Sequence, residues 1–298
     1  GVLRIPRYIE MVRLGILKGD ARPSISHEFG AVAVYDGDLV PGASGLLTAC
    51  EKAADLAGKF GIGICSIMRT NHAGAVGYFA EHLARKGFCS IVMTASKPLM
   101  VYHGAKGEGV STNPIAIGVP APDGPVVLDM STASVALGKI MAAKDAGQSI
   151  PIGWGVDADG VATEDPAKVK AVLPMAGPKG SGLSLMIEML VSVLGGNPLI
   201  SPALTNKKDN GFNGSVIAFL PEAFGPSLEF AKEVASLQQA IHVLPPAQGV
   251  DEVLLPGERG HRIMATRLKS GIPLASGTVE RIVEEARRLH VTVPQELL

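Results

Sequence analysis

The chain is poor in aromatic residues, poor in charge and poor in cysteine. Phe, Trp and Tyr make up 4% of its 298 residues, with one Trp, and only 18% are charged. Lys plus Arg (27) nearly balance Asp plus Glu (28), for a formal net charge of −1. A nucleic-acid binder carries a basic excess, often interleaved with stacking aromatics, and neither is present. A disordered chain combines low hydrophobicity with high net charge, whereas 47% of this sequence is apolar. The three cysteines, Cys50, Cys65 and Cys89, form no CxxC pair and sit among apolar neighbours. They read as reduced, buried thiols of a cytoplasmic protein. No apolar run reaches the ~18 residues of a membrane span, and no signal peptide is recognisable. The histidines show no metal-ligand spacing supported by carboxylates, so no metal is expected.

Glycine is what the chain has in excess: 36 residues, against an average usage of about 7%. Such an excess marks tight turns or backbone that approaches a ligand closely. Strand-like runs at 30–35, 62–68, 89–95, 115–119, 126–129, 215–220 and 253–255 alternate with helical patterns at 5–17, 46–60, 75–86, 134–146, 179–194 and 227–242, followed by two more in the tail. Gly61 and Gly87 are expected to close helices. Segments 98–114 and 198–214 read as loops, the latter around Asn206–Asn210. This alternation argues an α/β protein, and the short strands fit a mixed sheet as well as a parallel one. The domain reading is a core over 20–146 and 215–260, a second lobe over 147–214 carrying the long apolar helix, and helical segments at 1–19 and 261–298.

Standard phosphate loops are missing. There is no GxxxxGK[ST], and Gly61-Ile62-Gly63 lies between a helix and a strand, the reverse of a Rossmann turn. Gly177-Pro178-Lys179-Gly180-Ser181-Gly182 opens the long apolar helix, where backbone N–H groups and Lys179 suit an anion. The same glycines also suit close helix packing. Asp129-Met130-Ser131-Thr132 leads from a strand to a helix, as cofactor-binding turns do, and Ser131 or Thr132 would equally serve as N-caps. His72, in Thr70-Asn71-His72-Ala73-Gly74, follows a buried strand and is either a general acid/base or a structural histidine. His27 and His103 read as loop residues. Arg4 and Tyr8 share a helix face, where Arg4 is either a carboxylate clamp or an ordinary exposed side chain.

Taken in order, the motifs Gly1-Val2-Leu3-Arg4-Ile5-Pro6-Arg7-Tyr8, Asn71-His72-Ala73-Gly74, Ser111-Thr112-Asn113-Pro114-Ile115-Ala116, Leu128-Asp129-Met130-Ser131, Ile150-Pro151-Ile152-Gly153-Trp154, Leu173–Gly180 and Pro256-Gly257-Glu258 resemble the malate/L-lactate dehydrogenase family. This is the non-Rossmann family that includes sulfolactate and ureidoglycolate dehydrogenases, diketogulonate reductase and cyclic ketimine reductases. Leu173–Gly180 reads most like the ureidoglycolate enzymes. The resemblance implies a sulfolactate dehydrogenase-like mixed sheet without GxGxxG, NAD- or NADP-dependent hydride transfer on a small 2-hydroxy or 2-oxo acid, and a homodimer with its site near the subunit interface. By position it implies His72 as the proton-exchanging residue, Arg4 with Tyr8 on the substrate carboxylate, and Ser96 and Thr112 along the nicotinamide and substrate pocket. Asp129, Met130, Ser131, Lys179, Gly180, Gly257 and Glu258 would contact the cofactor. Reduction of a cyclic 2-imino acid with NADPH is the alternative chemistry, and a dinucleotide-binding homologue impaired in catalysis is the alternative class. The family would place a Ser-His pair and a helical segment before Gly1, so a molecule starting at Gly1 is expected to be impaired in catalysis and in dimerisation.

Overall fold

The computed structural model describes residues 2–207 and 211–295. Gly1 of the first motif, and Lys208, Asp209 and Asn210 of the loop expected at 198–214, lie outside the described residues. The strands, in chain order, are β1 (Ser24–Phe29), β2 (Val32–Asp36), β3 (Ile62–Thr70), β4 (Cys89–Ala95), β5 (Met100–Val101), β6 (Glu108–Val110), β7 (Ile115–Val119), β8 (Val126–Met130), β9 (Gly155–Val156), β10 (Ala171–Val172) and β11 (Phe212–Phe219). The helices are α1 (Ile5–Arg13), α2 (Gly42–Phe60), α3 (Gly77–Arg85), α4 (Leu137–Asp145), α5 (Pro178–Glu188), α6 (Ile200–Leu204), α7 (Ser227–His242), α8 (Glu258–Ser270) and α9 (Ser276–Arg288).

The main sheet has seven strands in the order β1-β2-β3-β11-β4-β7-β8. Only β2 and β3 pair in parallel, joined through α2; the other neighbours are antiparallel. A smaller sheet, β6-β5-β10-β9, is also mixed. Alternation of side chains along each strand gives the main sheet two apolar faces. Val92, Ala116, Val216 and Ala218 pack with α2 and α3 on one face. Ile91, Met93, Ala95 and Ile217 pack with Ile187 and Val191 of α5 and its continuation on the other.

Most helices start or stop where local chemistry directs. Gly61, at φ +82°, donates its N–H to the Ala57 carbonyl and ends α2. The long apolar helix expected at 179–194 is α-helical only to Glu188 and continues as a π turn over Met189–Val193. Four expectations are corrected. His27 belongs to a strand, because β1 is an exposed edge held by backbone pairing to β2 and has no buried face to leave a pattern. The segment 98–114 contributes β5 and β6 to the smaller sheet. The segment 198–214 holds α6 and the start of β11; α6 is capped from a distance, the buried Glu188 carboxylate accepting the N–H groups of Leu199 and Ile200. Residues 253–255 form no strand, since the Leu255 N–H donates to the Glu258 carboxylate and a lone backbone bond, Val127 N–H to Pro256 O, ties the segment to β8.

One contact decides where the loop after β3 sits. A Cβ on Gly42, in the first turn of α2, would lie 2.0 Å from the Asn71 carbonyl oxygen. That space is filled by backbone, which cannot swing away. Gly42→Ala is expected to lower stability by about 1–3 kcal/mol or more, read as a reduced urea midpoint; an unchanged midpoint would mean the loop is not held by this approach.

Candidate active site

Strand register brings the distant motifs together. Thr70 at the end of β3 pairs with Phe212 at the start of β11. Ala95 at the end of β4 pairs with Asn213, and Ile115 at the start of β7 faces both Met93 and Met130. Four chain segments therefore open at one end of the sheet: Asn71–Val76, Ser96, Thr112–Pro114 and Ser131. Ligands of open α/β sheets bind in this kind of position. A cleft of about 400 Å³ lies there, lined by His72, Arg4, Ser96, Thr112, Asp129 and Ser131, with Leu99, Pro114, Leu137 and Phe212 supplying apolar wall. A second cleft of about 560 Å³ adjoins it and shares Arg4, Asn71, His72 and Phe212.

His72 stands at the junction. Its Nδ1 is 2.7 Å from the Tyr8 hydroxyl, and its ring meets Phe212 edge-on. Burial, reinforced by the nearby Arg4 guanidinium, pushes its pKa down to about 4. Burial raises the Tyr8 pKa, against the opposing effect of Arg4. The preceding Asn71 is buried, and its amide donates to the Ile16 and Leu39 carbonyls. The Asn71 Oδ1 is enclosed without a partner.

The rest of the cleft is cross-linked by polar side chains. Asn113 accepts the Ser96 N–H at 3.2 Å and donates to the Ser184 carbonyl at 3.0 Å. The Ser96 and Ser111 hydroxyls are 2.5 Å apart. Ser131 donates its hydroxyl to the Thr112 carbonyl and accepts the Ala133 N–H, so it shapes a turn and caps no helix; α4 starts only at Leu137. The Asp129 carboxylate accepts the Gly77 N–H at the start of α3, while burial raises its pKa.

The other expected residues lie around this cleft without lining it. Met130 is the last residue of β8, on the opposite side of the strand from Asp129. Lys179 and Gly180 open α5, and a Cβ on Gly180 would lie 2.5 Å from the Thr132 carbonyl oxygen, so this turn abuts the end of the Asp129–Thr132 segment. Gly257 sits against Val127. Glu258 bonds His242 at 2.8 Å in a separate cleft of about 160 Å³. Sequence reasoning missed Phe212, hidden in a segment read as polar loop, and gave no role to Asn71 or Asn113, although both stand inside motifs beside named residues.

The donors present fit a nucleotide or a carboxamide. Among the described residues, the peptide N–H groups of Ala73, Gly74, Ala75 and Val76 have no intramolecular acceptor, and they precede the N-terminus of α3. The Thr132 hydroxyl is likewise buried and unpartnered. A neutral imidazole beside a guanidinium, with free peptide donors and an apolar wall, equips the cleft for proton exchange with a small acid held against a flat cofactor.

Comparison with known proteins agrees with that class. The family model described as malate/L-lactate dehydrogenase matches residues 1–283, and the chain belongs to that family. It is 36% identical to the L-sulfolactate dehydrogenase of Methanocaldococcus jannaschii over 98% of this chain and 86% of that protein. It is 32% identical to a Δ1-pyrroline-2-carboxylate/Δ1-piperideine-2-carboxylate reductase of Pseudomonas syringae pv. tomato (96% and 84% covered) and 30% identical to the ureidoglycolate dehydrogenase (NAD+) of Escherichia coli K12 (96% and 83%). The solved sulfolactate dehydrogenase of M. jannaschii superposes with a TM-score of 0.87 at 35% identity, covering 98% of this chain and 86% of that one. The fold is thus that of NAD(P)-dependent oxidoreductases without the Rossmann turn.

Neutral burial of His72 has a thermodynamic signature. Its folded pKa, about 4, lies below the ordinary 6.5, so between those values the unfolded chain binds more protons. Stability from this group is complete above pH 6.5 and falls as pH drops towards 4, by up to about 3 kcal/mol. Urea unfolding of His72→Gln is expected to lose that part of the pH dependence; curves parallel to wild type would contradict the burial.

Proposed function

We propose that this enzyme transfers a hydride between NAD or NADP and a small 2-hydroxy or 2-oxo carboxylate, with His72 exchanging the hydroxyl proton. The observation that carries the reading is the neutral His72, bonded to Tyr8 and set beside Arg4. With Nδ1–H donated to the Tyr8 oxygen, Nε2 keeps a lone pair for the substrate hydroxyl proton. Arg4 suits the substrate carboxylate, where a bidentate pair fixes orientation. The bound carboxylate offsets the Arg4 charge and raises the His72 pKa towards the range useful for a base. Bound NAD(P) supplies the hydride acceptor or donor. The peptide donors of Ala73–Val76, with Ser96, Thr112, Asp129 and Ser131, would hold its nicotinamide half against the apolar wall. Met130, Lys179 and Gly180 would shape the adjoining turn, and Gly257 and Glu258 lie where the far half would extend.

We also propose that the protein works as a homodimer in the cytoplasm. No helix among the described residues is long and apolar enough to cross a membrane. Met186, Met189, Leu190, Val193 and Leu194 form an exposed stripe at helical spacing along α5 and its π turn, with Leu194 78% exposed. A second copy would cover such a stripe. Reduction of cyclic 2-imino acids is the second reading, supported by the similarity to the P. syringae reductase.

Full-length enzyme screened with both nicotinamide cofactors against 2-oxo and cyclic 2-imino acids should turn over the 2-oxo acids. His72→Ala should lower kcat by about 10²–10⁴-fold while cofactor still binds. No turnover of any 2-oxo acid would overturn the assignment. Sedimentation should show a dimer that Leu190→Asp with Leu194→Asp converts to monomer; a wild-type monomer would contradict it.

A further inference from the structure

Hydride transfer to or from a hydroxy acid moves a proton as well, and the two clefts meet the ring that handles it differently. His72 lines both clefts, whereas Tyr8 lines the second alone. The Tyr8 hydroxyl and His72 Nδ1 are 2.7 Å apart, and either atom donates according to the tautomer of the ring. The bond therefore carries a proton in either direction. Among the described residues, the second cleft's other titratable lining is Arg4, Arg7, Arg69 and Lys97, with no Asp or Glu. Arg69 chelates Asp36 through three contacts of 2.8–2.9 Å.

These surroundings disfavour a positive ring. Burial and the Arg4 guanidinium hold the His72 pKa at about 4. A bound carboxylate offsets Arg4 but leaves burial, the larger cause, in place. A proton taken up at Nε2 builds up least charge if another leaves from Nδ1 in the same step. Among the described residues, the group bonded to Nδ1 is the Tyr8 hydroxyl. Burial raises the Tyr8 pKa, so the phenol stays protonated at working pH and passes a proton on only by gaining one as it gives one up. Beyond Tyr8 the second cleft offers no carboxylate acceptor, so the proton goes to water. The cationic side chains there favour its onward release to solvent.

We propose that Tyr8 is a proton relay between His72 and water in the second cleft, so that the substrate proton leaves by a route separate from the cleft the substrate fills. In oxidation the C2 hydride departs with its electron pair to bound NAD(P), and the substrate O–H bond breaks as its proton joins Nε2 and the carbonyl forms. The Nδ1–H bond breaks and its proton joins the Tyr8 oxygen, while the Tyr8 O–H proton joins a water. Ring and phenol both end neutral, the ring as its Nε2–H tautomer, and one proton has been released. Reduction runs the chain in reverse. Tyr8 thus acts through His72 and not on the substrate carboxylate. This rests on the proton-exchanging role of His72 in the preceding section and adds where the proton goes.

The test follows single turnovers of full-length enzyme by the reduced-nicotinamide absorbance, with the 2-oxo acid that wild type reduces fastest. In mixtures of H2O and D2O the wild-type rate should fall along a curve as the deuterium fraction rises, the mark of more than one proton in flight. Tyr8→Phe should lower the rate by about 10²-fold and straighten that curve, with dinucleotide affinity kept. A purely structural role would raise KM and leave the curve as it was. Tyr8→Ala opens the second cleft to small bases, and imidazole in the buffer should restore part of its rate while leaving wild type unaffected. A straight wild-type line, a Tyr8→Phe rate equal to wild type, or a slower Tyr8→Phe with the curve unchanged would overturn the relay and leave the hydroxy-acid reading intact. No turnover of any 2-oxo acid by wild type would overturn both.

Discussion

The site depends on the close approach of α2 to the backbone that follows β3. Gly42 lets the first turn of α2 rest against Asn71–Ala73, where a Cβ would be 2.0 Å from a carbonyl oxygen. The Asn71 amide then ties the same loop to the Ile16 and Leu39 carbonyls, so three chain regions hold one residue. The next residue, His72, is half-buried at the junction of the two clefts. It is placed beside Tyr8 and Arg4, and its neutrality follows from burial and from the adjacent positive charge. A group held neutral at physiological pH, with its ring fixed by a hydroxyl partner, is in the protonation state that proton exchange needs before substrate arrives.

The surrounding architecture does for this loop what a glycine-rich turn does in a Rossmann fold. Antiparallel pairing of β11 with both β3 and β4 aligns strand ends that are far apart in sequence. The peptide donors of Ala73–Val76 stand at the start of α3, and Asp129 closes the first N–H of that helix from β8. Unpartnered peptide donors and the residue proposed to exchange the proton therefore come from one short segment. The glycine excess has a matching explanation in part: residues such as Gly42 and Gly180 permit backbone-to-backbone contact around the site.

Local chemistry was legible in the sequence where it acts locally. The apolar run Cys89–Ala95 is β4 to the residue, Ser227–His242 is α7 to the residue, and Gly61 ends α2. His72 at a strand end, beside small residues, was legible for the same reason. What was not legible is held by partners distant in sequence. β1 exists through its ladder to β2 and buries no face. α6 is capped by Glu188, eleven and twelve residues upstream of the N–H groups it accepts. Phe212 reaches His72 because β11 inserts between β3 and β4, an order no periodicity reveals. Glu258 was named through motif resemblance alone; its carboxylate is bonded to His242 and to the Leu255 N–H, outside the cleft at His72.

The most direct measurement of the central claim is an NMR titration of the His72 ring, alone and with a small carboxylate such as oxamate bound. The account predicts a midpoint near 4 in the free protein and an upward shift when the carboxylate offsets the Arg4 charge. A free-protein midpoint at or above the ordinary histidine value, unmoved by the ligand, would contradict it.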